Sequence, residues 1–283
     1  MKTILVIGAK GMLGMDLMRQ LEDHPEYTAV GYGRDDLNIT QIDSVSREVP
    51  KVHPDVVINC AAYTDVEGAE DHMDAAYQVN AYGAEYLARI TKELDIPLVQ
   101  VSTNFVFDGS QEEPYREDQI PQNPINIYGA SKLRGEELAQ QYNDKVYIVR
   151  TSNLFGPHGK NFVQTMVRLG ETKDTLQVVG DQIGNPTYTK HLAQAIISML
   201  DDGAEYGIYH LTNSTPTEAG ISWYTFAKKI MEFRGFPTKV TRVTSEAYPS
   251  KAERPKQGTI LNTKRPKLPS YQQALEEFLA AHL

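Results

Sequence analysis

The chain has 283 residues, of which 41% are hydrophobic and 23% charged, and its formal net charge is −9. This composition is typical of a globular protein with a large core, so we do not expect a disordered chain. The acidic surface would repel a phosphate backbone, which argues against nucleic acid as a partner. No segment has the apolar length of a membrane span, and the first apolar run, residues 4–7, is too short for a signal peptide. We expect a cytoplasmic protein with no membrane partner.

Short apolar, β-branched runs alternate with helical patterns over roughly the first 150 residues. The predicted strands cover residues 3–8, 29–33, 55–61, 98–102 and 146–151, and later 177–179 and 208–211. The predicted helices cover residues 12–22, 42–49, 75–94 and 128–142. This alternation predicts an α/β protein with a doubly wound parallel sheet that has helices on both faces.

The second half of the chain is less regular, because prolines divide it into shorter elements. A helical pattern over 187–200 precedes the strand at 208–211 and could return to the sheet. We therefore predict a dinucleotide-binding domain from 1–152 plus about 187–212. The remaining residues, about 153–186 and 213–283, would form a smaller C-terminal α/β substrate-binding lobe that ends in a helix near 270–281.

A glycine loop joins the first strand to the first helix. Gly8, Gly11 and Gly14 are spaced G-x-x-G-x-x-G, which lets the backbone turn tightly and approach a pyrophosphate at the helix N-terminus. The position directly after the first strand favours a Rossmann-type dinucleotide site over a merely structural turn.

The second strand ends at Gly33-Arg34-Asp35. Arg34 could pair with the 2′-phosphate of NADP, whereas an acidic residue here would bind the ribose hydroxyls of NAD. Because Asp35 stands next to Arg34, both cofactors stay open, and Arg34 could also be only a solvated turn residue.

Tyr128 and Lys132 are four residues apart in a helical pattern, so both side chains lie on one face. A carbonyl reductase needs a proton donor for the oxygen that gains charge, and a nearby ammonium lowers the pKa of a phenol toward a usable range. A second Y-x-x-x-K pair, Tyr224 and Lys228, lies outside the regular alternation and is interpreted as part of a packing helix.

The fourth strand ends in Ser102-Thr103, which places hydroxyls at its carboxyl end, where ligands bind in such folds. With the glycine loop and the Tyr128/Lys132 pair in order along the chain, Thr103 is predicted to be catalytic. The one cysteine, Cys60, stands in a buried-strand pattern and is interpreted as a packed thiol and not a nucleophile.

These motifs resemble those of the extended short-chain dehydrogenases and, more narrowly, the dTDP-4-dehydrorhamnose reductase family. The supporting stretches extend over nearly the whole chain and are 8–14, 59–70, 102–103, 126–132, 150–152, 161–162, 181–187 and 254–255. The resemblance implies reduction of the 4-keto group of a nucleotide-linked deoxysugar, with NADPH as cofactor and NADH as the alternative.

The resemblance also implies roles for individual residues. Tyr128 would be the proton donor, Lys132 its partner and Thr103 the hydroxyl that orients the carbonyl. The expected cofactor-binding residues are Gly8, Lys10, Gly11, Met12, Leu13, Gly14, Arg34, Asn38, Ile39, Ala61, Ala62, Tyr63, Thr64, Ser102, Tyr128 and Lys132. The expected substrate-binding residues are Thr103, Asn104, Phe105 and Asn153.

Three departures from the family pattern stand out. Asn104 and Phe105 replace the usual Asp-Tyr, and Asn153 replaces a tryptophan, which bears on the identity of the sugar. Some members bind magnesium between subunits through glutamates, and the matching positions here are Asp16 and Lys190. We therefore expect no metal site.

Two other functions stay open. A nucleotide-sugar epimerase or dehydratase of the same superfamily would share most of these motifs. A non-catalytic binding subunit, such as the methionine adenosyltransferase regulatory subunit, also resembles these reductases, although an intact Tyr128 and Lys132 weigh against it. A homodimer is a further expectation.

Overall fold

The protein is described by a computed structural model that covers residues 1–282. The strands are β1 Lys2–Ile7, β2 Tyr27–Tyr32, β3 Val56–Asn59, β4 Leu98–Thr103, β5 Val146–Thr151, β6 Leu154–Phe155, β7 Thr175–Val179, β8 Ile183–Gly184, β9 Thr187–Tyr188, β10 Gly207–His210, β11 Asn213–Ser214, β12 Ile221–Ser222, β13 Lys239–Val243 and β14 Leu268–Ser270. The helices are α1 Met12–Glu22, α2 Ile42–Glu48, α3 Val66–Asp71, α4 Met73–Tyr77, α5 Gly83–Glu93, α6 Ile127–Tyr142, α7 Phe162–Gly170, α8 Thr189–Asp201, α9 Trp223–Arg234 and α10 Tyr271–His282. No helix within residues 1–282 is long and apolar enough to cross a membrane.

Six parallel strands form the main sheet in the order β10-β5-β4-β3-β1-β2. Alternate residues of each strand face opposite sides, so Ile4 and Val6 pack with α1 and α8, whereas Leu5 and Ile7 pack with α2 and α5. Apolar residues on both faces are what a covered parallel sheet requires. The predicted α/β class with a doubly wound parallel sheet is confirmed.

The chain leaves this sheet after β5 and returns to it through α8. Helix α8 packs against α1, and β10 then pairs with β5 at the edge of the sheet through Gly207 to His210. Between β5 and α8 the chain contributes to a second core outside the sheet. This second core joins α7, α9 and α10 around Phe155, Phe226 and Phe278.

Several elements differ from the sequence-based expectation, including α3 and α7, which no predicted helix covers. The strand predicted at 177–179 is longer, Thr175–Val179, and pairs with β13, a strand that the sequence pattern did not indicate. The helix predicted over 75–94 is divided by a π turn, Gln78–Tyr82, between α4 and α5. Helical periodicity alone does not indicate this turn, which contains Asn80 and its contacts with distant residues.

Candidate active site

The glycine loop brings the main chain of three segments into close contact. Gly8 has a φ of +78°, and a Cβ there would lie 2.6 Å from the main-chain nitrogen of Ala61. A Cβ at Gly14 would lie 2.2 Å from the carbonyl oxygen of Gly8, so only glycine lets α1 pack this closely on the loop. Gly11 is the N-cap of α1 and offers no side chain to the first amides of the helix. These amides can therefore bind an anion.

Charged side chains surround the end of β2. Lys10 extends along Gly33, and its ammonium lies 3.7 Å from the exposed carboxylate of Asp35. The Asp36 carboxylate accepts a hydrogen bond of 2.8 Å from the Gly33 amide. Arg34 is exposed beside them. Two cations, from the glycine loop and from β2, are thus available to a phosphate at this edge.

The predicted adenine and ribose contacts differ in what they can offer. The Ile39 side chain is buried in the core against Gly83, so it can meet a ligand only through its main chain. Asn38 accepts hydrogen bonds from the amide and hydroxyl of Thr40. The segment that follows β3, Ala61–Thr64, lies beside the glycine loop through the contact between Gly8 and Ala61.

Asn80 in the π turn holds this segment in place, and the sequence analysis missed it. Its side chain accepts from the Tyr63 amide (2.8 Å) and donates to the Tyr63 carbonyl (3.1 Å) and the Ser131 hydroxyl (3.0 Å). Asn80 therefore links the segment after β3 to the helix that carries Tyr128 and Lys132. A polar residue on the buried face of an otherwise apolar helix pattern was the available signal.

Helix α6 begins at the site. Its N-cap Asn126 accepts a hydrogen bond from the Gly129 amide, which fixes the first turn, where Tyr128 lies. The Tyr128 ring contacts the Phe105 ring edge-on, with 5.6 Å between the ring centroids. One turn later, the Lys132 ammonium donates to the Val101 carbonyl over 2.6 Å. The structure thus brings together Thr103, Tyr128 and Lys132, as expected from the sequence.

Burial changes the acidity of these groups. Burial raises the pKa of Tyr128, and a hydrogen bond with the Thr103 hydroxyl acts in the opposite direction. Burial lowers the pKa of Lys132 to about 8, against the opposing effects of Glu136 and Cys60. The pKa of the Cys60 thiol is raised to about 12 by burial, so this thiol is protonated at neutral pH and is a poor nucleophile.

Ser102 and Thr103 have different environments although they are adjacent. The Ser102 hydroxyl donates to the carboxylate of Glu136 on α6, so Ser102 can meet a cofactor only through its main chain. The Thr103 hydroxyl accepts from the Phe105 amide over 3.2 Å and faces Tyr128. Thr103 is therefore the hydroxyl available to a substrate carbonyl.

Two of the residues that depart from the family pattern, Asn104 and Phe105, directly follow Thr103. Asn104 is 4% exposed, and its amide donates to the Gly258 carbonyl over 2.7 Å. Asn153 follows β5 with a φ of +48°, and its amide lies beside Gly184. Asn104 therefore influences the site through its neighbour Thr103, whose hydroxyl donates to the Asn104 side-chain oxygen over 3.3 Å.

The second Y-x-x-x-K pair is in a different place. Tyr224 and Lys228 lie on α9, where Tyr224 packs against the second core and the Lys228 ammonium lies 5.7 Å from the centre of the Tyr224 ring. The structure does not bring this pair to Thr103.

The residues at the family's metal position do not fit a divalent cation. The Lys190 ammonium forms an ion pair with Glu277, and the Asp16 carboxylate accepts from the Thr189 hydroxyl. A lysine ammonium repels a metal ion and competes with it for the carboxylate. Within residues 1–282, no group of three or more His, Cys, Asp or Glu side chains could hold a metal ion.

Lys132 lies near Cys60, and the main chain of Cys60 contacts Gly8, so the site is connected to the loop at which a dinucleotide can bind. Fold and site together define a nicotinamide-dependent carbonyl reductase of the extended short-chain dehydrogenase type. Comparison with known proteins narrows this class.

A family model described as the RmlD substrate binding domain matches residues 1–283. The chain is 44% identical over 256 residues to the spore coat polysaccharide biosynthesis protein SpsK of Bacillus subtilis, covering 90% of this chain and 87% of that protein. It is 38% identical over 276 residues to a dTDP-4-dehydrorhamnose reductase of Aggregatibacter actinomycetemcomitans, covering 93% and 92%. The crystal structure of Bacillus anthracis dTDP-4-dehydrorhamnose reductase in complex with NADP superposes with a TM-score of 0.92, at 38% identity and 99% coverage of both chains. The chain belongs to the RmlD family, which confirms the resemblance seen in its sequence.

Proposed function

We propose that this protein reduces the 4-keto group of dTDP-4-dehydro-L-rhamnose with NADPH and releases dTDP-L-rhamnose, a precursor of surface polysaccharide. The observation that carries the proposal is the convergence of Thr103, Tyr128 and Lys132 beside the glycine loop. The names of two relatives, each 38% identical and matched over more than 90% of this chain, point to the same substrate.

The residues divide the reaction as follows. NADPH, when bound, supplies the hydride that adds to C4 of the sugar. When the sugar binds, the Thr103 hydroxyl turns its proton from the Asn104 side-chain oxygen to the keto oxygen and so orients that oxygen toward the Tyr128 phenol. Tyr128 transfers its proton to the oxygen as the oxygen gains charge, and the Lys132 ammonium stabilises the phenolate that remains. Hydride and proton together convert the ketone to an alcohol.

The cofactor preference follows from the charges at the end of β2. Lys10 and Arg34 can both bind a 2′-phosphate, which favours NADPH. Asp35 competes for Lys10, so NADH is the weaker alternative. The amides at the start of α1 would bind the pyrophosphate of either cofactor.

One experiment tests the proposal against its alternatives. Purified protein is mixed with dTDP-4-dehydro-L-rhamnose and NADPH. Oxidation of NADPH is followed by the loss of its absorbance, and the product sugar is identified by NMR. We expect stoichiometric oxidation and dTDP-L-rhamnose. Tightly bound NAD with no net consumption of NADPH would indicate an epimerase or dehydratase, and a stoichiometric protein partner without any turnover would indicate a binding subunit.

Tyr128→Phe and Tyr224→Phe form a matched pair for this assay. Loss of a general acid lowers a rate by about 10²–10⁴-fold, so we expect at least ~10²-fold for Tyr128→Phe, with NADPH binding retained. Tyr224→Phe should leave kcat nearly unchanged, because Tyr224 packs in the second core. An inactive Tyr224 variant with an active Tyr128 variant would refute the assignment.

The expected homodimer and cytoplasmic location remain part of the proposal. Sedimentation of the purified protein at micromolar concentration tests the first, and fractionation of cells that express it tests the second.

A further inference from the structure

Helix α6 presents a third polar side chain on the face that carries the catalytic pair. Tyr128, Lys132 and Glu136 follow each other at intervals of four residues, so they lie along one face of the helix. The proposed mechanism uses the first two. Glu136 is 2% exposed, and nothing in that mechanism accounts for a carboxylate buried at this position.

Glu136 accepts hydrogen bonds from two neighbouring strands. Ser102 on β4 and Arg150 on β5 are paired in register, so their side chains leave the sheet on the same face. The Ser102 hydroxyl donates to Oε1 of Glu136. Arg150 donates from Nε to both carboxylate oxygens, at 3.0 and 3.1 Å, and from Nη2 to Oε2 at 2.6 Å. One carboxylate thus joins α6 to the carboxyl ends of β4 and β5.

The residues that follow these contacts lie at the carboxyl ends of β4 and β5. Thr103 comes directly after Ser102, and Thr151 directly after Arg150, and the two threonines are themselves in register. Lys132 donates to the carbonyl of Val101, the residue before Ser102. Two successive turns of α6 therefore hold two successive residues of β4, which fixes the distance between Thr103 and Tyr128.

We propose that Glu136 is a positioning residue for the reduction, which sets Thr103 against the Tyr128/Lys132 pair and keeps Lys132 in its charged form. The proposal rests on the proposed function. Stability alone does not explain the pair, because a buried ion pair can often be replaced by apolar residues without loss of stability.

The charge of Lys132 depends on Glu136, because the other titratable groups described around it are neutral. Tyr128 on the same helix has a raised pKa and is neutral, as is the Cys60 thiol after β3. His210 on β10, beyond Arg150, has a lowered pKa caused by burial and by Arg150, so it is neutral as well. Glu136 favours the Lys132 ammonium. Removing its charge while Arg150 remains should lower the pKa of Lys132.

The test compares Glu136→Gln with Glu137→Gln. Glu137 is the next residue on α6, is half exposed and pairs with Arg134 at the surface, which makes it a matched control. For Glu136→Gln we expect kcat to fall about tenfold or more, the scale of a misplaced catalytic group. We also expect the alkaline limb of the kcat profile to move down by about one pH unit. Glu137→Gln should change neither.

A second readout does not depend on turnover. The titration of Lys132 is followed by NMR of protein labelled at lysine Cε, with Lys132→Met to assign the signal. Its midpoint should fall in Glu136→Gln. An inactive wild type would refute the proposed function, while this titration would still test the role of Glu136.

Three results would overturn the proposal. The first is a folded Glu136→Gln variant with wild-type kcat and pH profile. The second is a fall in kcat without a shift of the profile or of the titration, which is what a merely structural residue would give. If Glu136→Gln does not fold, the Ser102→Ala variant replaces it in the test. We expect its kcat to fall about three- to tenfold, the fold-change of one hydrogen bond, while its KM for NADPH stays unchanged. The third result that would overturn the proposal is an unchanged kcat in Ser102→Ala.

Discussion

Asn104 and Gly258 are joined by a hydrogen bond of 2.7 Å that runs from the side-chain amide of Asn104 to the main-chain carbonyl of Gly258. The bond connects the end of β4 to a segment 154 residues later in the chain. An aspartate, the usual family residue here, has no proton to donate when it is ionised. The side-chain amide of Asn104, which can donate, is therefore matched to the main-chain carbonyl of Gly258.

Asn104→Asp should destabilise the protein. The carboxylate would face the Gly258 carbonyl, oxygen against oxygen, at a position that is 4% exposed. Leaving a buried polar group without its partner costs about 1–3 kcal/mol, and we expect a loss of that size in the free energy of unfolding, measured with urea. Asn123→Asp, on an exposed loop, is the control and should change the free energy of unfolding little.

The rate should fall as the pH rises through about 8. Burial lowers the pKa of Lys132 to about 8, so the ammonium is lost above that value, whereas Tyr128, with its raised pKa, stays protonated. Deprotonation of Lys132 does not cause the rate to fall by unfolding the protein, because this lysine keeps its proton up to about pH 10.5 in the unfolded chain. Lys132 thus adds stability as the pH rises between these two values.

Lys132→Arg is the variant that checks this assignment. An arginine remains protonated throughout the range, so the alkaline limb near pH 8 should move upward even if kcat is lower. A limb that stays near 8 in Lys132→Arg would assign the titration to another group. The profile is best measured as kcat at saturating NADPH and sugar.

Arg34→Ala should weaken NADPH more than NADH. A charge-assisted hydrogen bond contributes about 1.5–3 kcal/mol, and because Arg34 is exposed we expect the low end of this range, about tenfold in Kd for NADPH. Asp35→Asn should do the reverse, since it frees Lys10 from its ion pair and removes a negative charge near the phosphate. Fluorescence titration of both cofactors measures this, and equal losses for both in Arg34→Ala would leave it a surface residue.

Asn153→Trp should cost stability and should not improve turnover. Asn153 has a φ of +48°, a conformation that asparagine and glycine adopt readily but that costs most other residues about 1–2 kcal/mol. Its amide also lies beside Gly184, where a larger side chain has little room. Asn153→Gly is the control and should unfold close to the wild type in a thermal melt.

Steady-state kinetics of the Asn153→Trp variant also bear on the sugar. A marked gain in kcat/KM on dTDP-4-dehydro-L-rhamnose would mean that wild-type Asn153 selects a different sugar. Efficient wild-type turnover without such a gain would mean that the pocket has compensated for the lost tryptophan.

Local patterns carried much of the sequence-based prediction. The sheet was predictable because each strand is a short apolar run. The glycine loop was predictable because its three glycines lie within seven consecutive residues. Tyr128 and Lys132 were predictable because four residues make one turn of a helix. Each of these signals lies within a few neighbouring residues.

Contacts between distant segments were not predictable in the same way. The hydrogen bonds of Glu136 depend on the register between β4 and β5, which places Ser102 opposite Arg150. The bond from Asn104 to Gly258 depends on where the chain passes after β13. The spacing of residues along the sequence does not show which distant segments meet. The residues that hold the site together were therefore harder to predict than those proposed to act in it.

The π turn at Gln78–Tyr82 makes the path between α4 and α5 sensitive to the number of residues, and not only to their identity. A π turn is one residue wider than an α turn. Deleting one residue here would let the segment relax into a continuous α-helix and rotate one half against the other by about 100°. Asn80 would then turn away from Tyr63 and Ser131, so a one-residue deletion should damage the site more than most substitutions in the same helix. In this part of the fold, the length of the chain is itself under constraint.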